Sequence, residues 1–444
     1  MKLWQPTVLA QAALLALGAG FASGAAAQSN ADLVKEIQEL KKRVAELEGK
    51  QKAGDAAKPA AGQWGMTPEQ ASEFNRIAVK TEAMEDARDA MGLKNLKISG
   101  YMDPTFIYNK KQDTAGFQFL NRVDTTNGGD GYNYDNSYFG AAVLDFTKET
   151  DSGTRWRLTL APNRGVGAVF DGNSPIHEAS VSVPLTDLQT RFIAGQIPDW
   201  SGYEYLQPTL NKLITHNLLF DFTLPTAYTG AGMEITSGKW IVKGMLANMN
   251  TSKKTSGNKT PVIAYRVDYA KGEFQGFGFA GVHGKAANFR ADDGVGNPVS
   301  GLPYDLKDTR VDLFEGDAYF IRGDWTVQGQ VSVGKQKNAA ITADPVTGDL
   351  RDASWWGFST LAAYKWTPRF ETTARLDYLN NKKNGGGLLG YNFADDRNGI
   401  GPDSAGDPEV GAKRTALTLG ASYNFNLNTT FKVEYRIDRA NLPV

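Results

Sequence analysis

The sequence contains no cysteine and only three histidines, and its charges nearly balance. The absence of cysteine excludes disulfide bonds and fits a chain that crosses an oxidising compartment without relying on them. His177, His216 and His283 lack the spacing of a metal site, and no Gly-x-Ser-x-Gly or Walker sequence accompanies them. A formal net charge of −1 predicts no nucleic-acid partner. We therefore expect no enzymatic activity, no metal and no cofactor.

Long apolar runs are also missing. After the N-terminus there is no run of about 20 apolar residues, which excludes a membrane protein built from helices. The chain is instead rich in glycine, with 48 residues, and 11% of its residues are aromatic. A transmembrane β-barrel also lacks long apolar runs, because every second residue of each strand faces the lumen.

The stretch 311–336 shows a strand pattern most clearly. Phe314 and Phe320 share one phase with small residues, while Glu315 and Asp317 occupy the opposite phase. Successive side chains of a strand point to opposite faces, so the pattern predicts a hairpin with one apolar and one polar face. Each arm has roughly ten residues, about the length that crosses a bilayer at a tilt.

The same unit recurs through most of the chain, and its connections alternate between short and long. The candidate strands are 95–108, 136–149, 154–162, 176–185, 189–197, 228–236, 239–249, 261–270, 274–285, 309–322, 324–337, 353–366, 369–380, 414–425 and 430–441. The long connections, rich in Gly, Asp and Asn, are 109–135, 198–227, 286–308 and 381–413. Outer-membrane barrels separate connections in this way, with short turns in the periplasm and long loops outside.

These observations predict an all-β fold, an antiparallel transmembrane β-barrel of about 16 strands within residues 95–444. If the first strand runs from the periplasm outward and the directions alternate, the last candidate strand also runs outward and ends at the outer surface. Bacterial barrels usually have an even number of strands and both ends in the periplasm. We therefore expect the closing strand to be absent from this sequence; a miscount by one strand is the alternative.

The N-terminal residues 1–27 have the features of a secretory signal peptide. A lysine precedes a short apolar core, and an Ala-Ala-Ala cleavage site precedes Gln28. The apolar run is short and the chain becomes polar at once, so a buried helix is a weaker interpretation. The segment predicts export, and with the barrel pattern it predicts a location in the bacterial outer membrane.

Three further segments precede the strands. Residues 28–50 predict a short periplasmic coiled coil; an amphipathic helix that packs on another element is the alternative. Its seam, with alternating spacings of four and three, consists of Leu33, Ile37, Leu40, Val44 and Leu47. Residues 51–66 predict a flexible linker. Residues 67–92 predict a periplasmic helix that starts with a capping sequence and ends at a glycine.

Charged residues recur in the polar phase of the strands. A charge at the membrane midplane costs about 2–4 kcal/mol, so these side chains are expected to point inward and to make the interior wet. That interior predicts a channel rather than a small barrel packed with side chains. The candidate channel-lining residues are Arg155, Arg157, Arg266, Asp268, Glu315, Asp317, Arg375, Asp377, Lys432, Glu434 and Arg436.

The candidate lining carries charges of both signs, often on one strand. A phosphate-selective pore requires Lys and Arg without neighbouring carboxylates, whereas here Glu434 and Asp377 lie two residues from a cation. We favour ion pairs that brace the wall, and strong ion selectivity is not predicted. Glu315 and Asp317 have the spacing of an acid/base pair, but two carboxylates of the lumen wall are the favoured interpretation.

Two polar loops have a composition compatible with Ca²⁺. These are 128–136, with the sequence GGDGYNYDN, and 292–294, with the sequence DDG. Carboxylate and amide oxygens are the ligands that Ca²⁺ prefers. Asp, Asn and Gly are also the residues that turns require, and this second interpretation is favoured.

Several segments resemble known proteins. Residues 194–204, AGQIPDWSGYE, resemble a Gly-Gln-Phe…Pro-Phe-Gly-x-Glu segment of the phosphate-selective porin O and P group of proteobacteria. The segments FNRIAVKTEAMEDARDAMG, LKISGY, GDWTVQGQ and TFKVEYRIDRANLPV resemble more closely an uncharacterised porin family of β-proteobacteria. The resemblance covers essentially the whole mature chain and implies trimers, anion passage and a last strand that ends in Phe. The Lys/Arg ladder of the phosphate-selective group has no obvious match here.

We therefore predict an outer-membrane porin, a weakly selective, water-filled channel for passive diffusion of small hydrophilic solutes or ions. The resemblance adds anions such as phosphate to these solutes. The expected partners are outer-membrane lipid, lipopolysaccharide and two further copies in a homotrimer. Two alternatives remain: a structural protein that tethers the cell wall through its periplasmic helices, and a barrel hydrolase, for which the sequence shows no catalytic cluster.

Overall fold

The computed structural model describes residues 42, 68–110, 114–120, 139–171, 174–252, 260–270, 272–288, 308–381, 384–389, 401, 407 and 409–441. The predicted signal peptide, coiled coil and linker lie outside these residues, apart from Lys42, and so do both candidate calcium loops. The chain divides into two units, Met1–Asn95 and Leu96–Val444, which are described separately.

The first unit contains helix α1, which spans Pro68–Ala90. The helix ends where Gly92 adopts a φ of +70°, a conformation that glycine reaches without steric penalty. The Leu93 N–H then donates to the Arg88 carbonyl at 2.8 Å, which satisfies one of the carbonyls left open at the helix end. Among the described helices, none is both long and apolar enough to cross a membrane.

The second unit is built almost entirely of strands. They are β1 (Leu96–Met102), β2 (Thr105–Asn109), β3 (Thr114–Gln118), β4 (Ala142–Glu149), β5 (Arg155–Leu160), β6 (Ile176–Pro184), β7 (Thr190–Pro198), β8 (Ala227–Ser237), β9 (Trp240–Met249), β10 (Val262–Ala270), β11 (Gln275–Ala287), β12 (Asp308–Arg322), β13 (Trp325–Gln336), β14 (Ala353–Thr367), β15 (Phe370–Asn380), β16 (Lys413–Asn426) and β17 (Thr429–Ala440). Two short helices, α2 (Val166–Asp171) and α3 (Leu218–Thr223), and a 3-10 turn at Pro208–Leu210 interrupt the connections.

Fifteen of these strands form one antiparallel sheet, which runs β1, β4 and then β5 to β17 in sequence order. At the β12–β13 turn, Arg322 pairs with Trp325 across Gly323, whose φ of +58° suits a two-residue hairpin turn. The predicted fold class, an all-β antiparallel barrel, is confirmed. In the part of the chain that the structure describes, β1 and β17 are the end strands of the sheet and do not pair with each other.

The first candidate strand, 95–108, is wrong as a single element. The sheet strand β1 ends at Met102, and β2 pairs instead with β3 in a separate two-stranded sheet. Pro104 stands at the break. Because proline has no N–H to donate to a ladder, it ends the pairing with β4 and leaves the next residues to form their own hairpin.

The two faces of the sheet differ in character. On β17, Phe431, Val433 and Tyr435 are 57–69% exposed. The intervening Lys432 and Glu434 instead hydrogen-bond residues of the β7–β8 connection. The outward face is therefore apolar and exposed, and the inward face is polar and partly covered.

The largest buried apolar cluster lies on the inward face. It joins Leu218, Leu219 and Phe222 of the β7–β8 connection to wall residues near the long connections. These wall residues include Met249, Val262, Val311, Ala353 and Leu379. Leu388 and Leu389, from the connection between β15 and β16, join the same cluster. One side of the interior is thus filled by chain rather than open.

Candidate functional site on the inner face

The connection between β7 and β8, residues 199–226, lies against the inward face, and we refer to it as the interior segment. The sequence pattern placed it among the outer loops, and the structure differs. Its helix α3 is capped by Asn217, whose side chain accepts from the Phe220 N–H at 2.8 Å. Leu218 and Leu219 on this helix are completely buried. Since burial of apolar side chains drives docking, α3 attaches the segment to β13, β14 and β15.

Arg375 on β15 is the central polar anchor of the interior segment. Its guanidinium donates to Glu204 of the segment at 2.7 Å and to Asp377 of its own strand at 3.0 Å. It also donates to the carbonyls of Thr215 and His216, at 2.7 and 2.8 Å. The Arg375 and Asp377 side chains are completely buried. The bonds to Glu204, Thr215 and His216 therefore hold the segment to the wall, while the bond to Asp377 stays within the wall.

Strand β17 holds the middle of the interior segment through three further charges. Glu434 accepts from the Ile214 and Thr215 N–H groups, at 2.6 and 3.0 Å. The other two charges donate to backbone carbonyls of the segment. Lys432 donates to the Pro208 carbonyl at 2.8 Å, and Arg436 donates to the His216 carbonyl at 2.6 Å. These bonds satisfy backbone groups of a buried connection.

The start of the interior segment is held by β10 and β12. Arg266 donates to the Trp200 carbonyl at 2.8 Å and to the Asp317 carboxylate at 2.7 Å. It also bonds Asp268 at 2.8 Å, while the buried Glu315 carboxylate lies 3.8 Å away. One guanidinium thus lies in contact with three carboxylates and one carbonyl at this point.

Glycines of the wall make room for apolar side chains of the interior segment. A Cβ on Gly420 of β16 would lie 2.4 Å from Leu213 Cδ2, and one on Gly357 of β14 would lie 2.4 Å from Leu219 Cδ2. Real side chains do not approach this closely, so a larger residue at either position would require the leucine side chain to shift. The wall and the segment are therefore fitted to each other.

The inward face of β4, β5 and β6 carries charges that stay in contact with solvent. Arg155 and Arg157 on β5 have side chains that are 34% and 33% exposed. Arg155 bonds Glu149 at 3.0 Å, and Arg157 bonds Asp145 at 2.8 Å. The Arg157 guanidinium also lies 3.3 Å from Glu178 on β6. Each cation here has a carboxylate partner.

The candidate lining residues therefore fall into two groups. Arg155, Arg157 and Asp268 are about one-third exposed. The larger group binds the interior segment or lies in the buried pairs that hold it; its members are Arg266, Glu315, Asp317, Arg375, Asp377, Lys432, Glu434 and Arg436. The sequence selection missed the carboxylates that pair with β5, and it missed the ion pair of Lys243 with Glu234.

The interior segment itself was missed, although its composition carried a signal. Between two strands it contains Leu213, Leu218, Leu219, Phe222 and Leu224, and all five are buried. A solvated outer loop has no partner for so many large apolar side chains. Their presence indicates that the connection folds back onto the protein.

Burial shifts the pKa of three groups in the interior segment. It raises the pKa of the Glu204 carboxyl to about 7, because desolvation outweighs the attraction of Arg375. It raises the pKa of Asp199 to about 6, partly offset by hydrogen bonds from Tyr228 and Ser201. Burial lowers the pKa of His216 to about 3, so this imidazole is neutral at physiological pH.

Raising the pH from 6.5 to 8 is expected to weaken docking of the interior segment by about 0.5 kcal/mol. A carboxyl whose pKa is raised by docking stabilises the docked state at low pH and loses that contribution as the pH rises through about 7. His216 acts in the opposite direction: when undocked it is half protonated at its ordinary pKa of 6.5, so it offsets about 0.4 kcal/mol of this loss. The measurement is the rate of proteolysis within 199–226 in detergent at both pH values.

The variant Glu204→Gln is the control for this pH dependence, and cleavage of a denatured substrate corrects for the protease itself. Most of the difference between pH 6.5 and 8 should disappear in this variant. An identical pH dependence in the native chain and in the variant would show that Glu204 does not couple docking to protons.

The described residues contain no group of three or more His, Asp or Glu side chains placed to hold a metal ion. The interior thus has two parts. One is a charged wall in contact with solvent, and the other is a docked segment that covers the opposite wall. This defines the class of the protein, an antiparallel β-barrel whose interior holds one of its own connections.

Residues 68–444 match the family described as "Protein of unknown function (DUF3138)", and the chain belongs to that family. No curated protein matches the chain. Similar solved structures include OmpT, an outer membrane protein of Vibrio cholerae, at 12% identity over 78% of this chain and 87% of that one, with a TM-score of 0.49. An anion-selective porin from Comamonas acidovorans is 12% identical over 78% of this chain and 89% of that one, with a TM-score of 0.48. OprB of Pseudomonas putida is 10% identical over 79% and 91%, with a TM-score of 0.43. These likenesses assign no activity to this chain.

Proposed function

We propose that this protein is an outer-membrane porin that lets small hydrophilic solutes and ions diffuse through a water-filled passage. The observation that carries the proposal is the inward face of β5. There Arg155 and Arg157 remain one-third exposed, although the opposite wall is covered. Water therefore reaches one side of the interior while the interior segment fills the other side.

The outward face supports a membrane location. Large apolar side chains repeat along it, and Phe314, Val331 and Val333 are each 56% exposed. An apolar surface of this extent is unfavourable in water, whereas a bilayer accepts it. The N-terminal sequence pattern of residues 1–27 is consistent with export to the outer membrane.

The passage is lined mainly by β4 to β6 and by neighbouring strands as far as β10. The exposed candidates Arg155, Arg157 and Asp268 face it, while Arg375 and its buried neighbours hold the interior segment. Because each cation on β5 is paired with a carboxylate, the field along the path is nearly balanced. The passage is weakly selective, and anions such as phosphate pass through it without being preferred over other small solutes.

The lipid of the outer membrane, including lipopolysaccharide, surrounds the barrel. Three copies form a homotrimer through their barrels, and the predicted coiled coil of residues 28–50 joins protomers that are already associated. Fewer than three heptads cannot hold an oligomer alone, which supports this order of events.

Replacing both Arg155 and Arg157 by Glu should shift permeability several-fold toward cations. The reason is that two cations in contact with the path become anions beside Asp145 and Glu149, so the balanced field becomes negative. The measurement is the reversal potential of purified protein in a planar bilayer under a salt gradient.

The matched control is Lys239→Glu with Arg369→Glu, which makes the same change in charge at two exposed turn residues. This control should leave the reversal potential within error of the native value. Equal shifts in both double variants would show a general surface effect. An unchanged potential in the β5 variant would mean that solutes do not pass this wall.

A further inference from the structure

Helix α1 carries large apolar side chains that are exposed. Residues 76–95 are exposed without exception. Four large apolar side chains lie along one side of the helix and are between 54% and 67% exposed: Phe74, Ile77, Met84 and Met91. The Met91 N–H donates to the Ala87 carbonyl at 3.0 Å, so the helical hydrogen-bond pattern continues to this residue. The first unit therefore has an apolar surface that is uncovered in the single chain.

The spacing of these side chains is that of a coiled-coil seam. Successive positions along the line are alternately three and four residues apart: Phe74, Ile77, Thr81, Met84, Arg88 and Met91. This is the heptad spacing, in which two positions of every seven face a neighbouring helix. A helix that packs on a globular surface usually has a third apolar position beside these two. Here that position holds Ala78 and then the charged Glu85, so the stripe is as narrow as a seam between helices.

The two polar members of the stripe are compatible with such a seam. The Thr81 hydroxyl donates to the Ile77 carbonyl at 2.9 Å, so it needs no hydrogen-bond partner on another helix. Arg88 lies in the last turn of α1, where a cation is favourable at the negative end of the helix dipole. Its long apolar stem can lie along the seam while its guanidinium reaches water.

The charges that flank the stripe indicate what covers it. In two parallel helices, the residue before one core position lies next to the residue five positions later on the neighbouring helix. Lys80 would therefore meet Glu85 of a second copy, and their charges are opposite. Within one helix, side chains three or four positions apart are neighbours, so residues 80 and 85 do not serve each other there. The stripe thus complements itself in a second copy of the same chain.

We propose that the α1 helices of neighbouring copies pack in parallel along this stripe. Copies related by rotation about the membrane normal carry their helices in the same direction, which a parallel arrangement requires. The inference rests on the homotrimer of the proposed function, because a seam of fewer than three heptads cannot hold an oligomer alone. Barrels that are already associated supply α1 at a high effective concentration, and a short seam then suffices.

Disulfide formation between single cysteines tests the contact, since the native chain contains none. Met84→Cys places a thiol in the seam, and Val79→Cys places one on the other side of the helix. The native side chains are 67% and 66% exposed, so the two sites are matched in the single chain. A disulfide requires Cα atoms within about 7 Å of each other. On mild oxidation of the purified protein in detergent, Met84→Cys should form linked dimers at least about tenfold faster than Val79→Cys.

A charge exchange tests the flanking pair in the Met84→Cys background. Lys80→Glu places like charges against each other and should slow linking several-fold. Adding Glu85→Lys to this variant restores opposite charges and should return most of the rate. The rescue separates a contact between helices from a general loss of helix stability.

Equal rates of linking for Met84→Cys and Val79→Cys, or no rescue by Glu85→Lys, would overturn the proposal. Native electrophoresis before oxidation reports the homotrimer independently. A trimer in which the two cysteines link at equal rates would refute the packing of α1 and leave the homotrimer standing. Monomers before oxidation would refute the homotrimer itself, and the inference with it.

Discussion

A chain in which residues 200–225 are replaced by Gly-Ser-Gly-Ser is expected to conduct several times more current per channel than the native chain. Pro198 and Ala227 are register partners on neighbouring strands, so a short linker can join β7 to β8 without moving them. The deletion removes α3 and the backbone that covers β12 to β17. The measurement is single-channel conductance in a planar bilayer.

The deletion should not collapse the barrel. The charges that it uncovers, such as Arg375 and Glu434, would then face water, where a charge has little desolvation cost. The matched control replaces the exposed turn 345–349 with the same linker, and this variant should conduct like the native chain. Equal conductance of the 200–225 deletion and the native chain would show that the interior segment does not narrow the path.

Replacing Arg375 by Met is expected to release the interior segment, at a cost of about 3–5 kcal/mol to its docking. The substitution leaves the Glu204 and Asp377 carboxylates buried without their common partner, and it removes two bonds to segment carbonyls. Faster proteolysis within 199–226 and a higher conductance should follow. Both are measured on the same purified protein.

The control for Arg375→Met is Arg155→Met. Arg155 also pairs with a carboxylate at 3.0 Å, but its side chain is one-third exposed. Removing this ion pair should therefore cost about 1 kcal/mol of stability or less. The triple variant Arg375→Met, Glu204→Gln, Asp377→Asn should recover part of the docking, because it removes the buried charges together. Equal protease sensitivity of Arg375→Met and Arg155→Met would refute the role of Arg375 as an anchor.

The sheet was predictable because its pattern is local. Alternation over 311–336 follows from the geometry of one hairpin, and the structure pairs Arg322 with Trp325 across that turn. The same holds for β17, where Phe431 and Lys432 point to opposite faces. The alternation along a strand can be recognised in the sequence without knowing which residues contact that strand in the folded protein.

The destinations of the inward charges were not predictable in the same way. The contact of Arg375 with Glu204 joins residues 171 positions apart, and that of Glu434 with Thr215 joins residues 219 apart. The alternation of polar and apolar residues predicts that both Arg375 and Arg157 point inward. It does not predict that Arg375 contacts the interior segment whereas Arg157 does not. The break at Pro104, by contrast, is indicated by the sequence itself, because proline cannot donate to a strand ladder.

Thiol modification on β5 shows whether water and solutes pass along the inward face of this strand. The chain has no cysteine, so Arg157→Cys introduces a single reactive thiol. A charged, water-soluble thiol reagent added to a conducting bilayer should reduce the current of this variant and leave that of Trp156→Cys, on the outward face, unchanged. Full modification of the cysteine at position 157 with no change in current would show that solutes do not pass along this face.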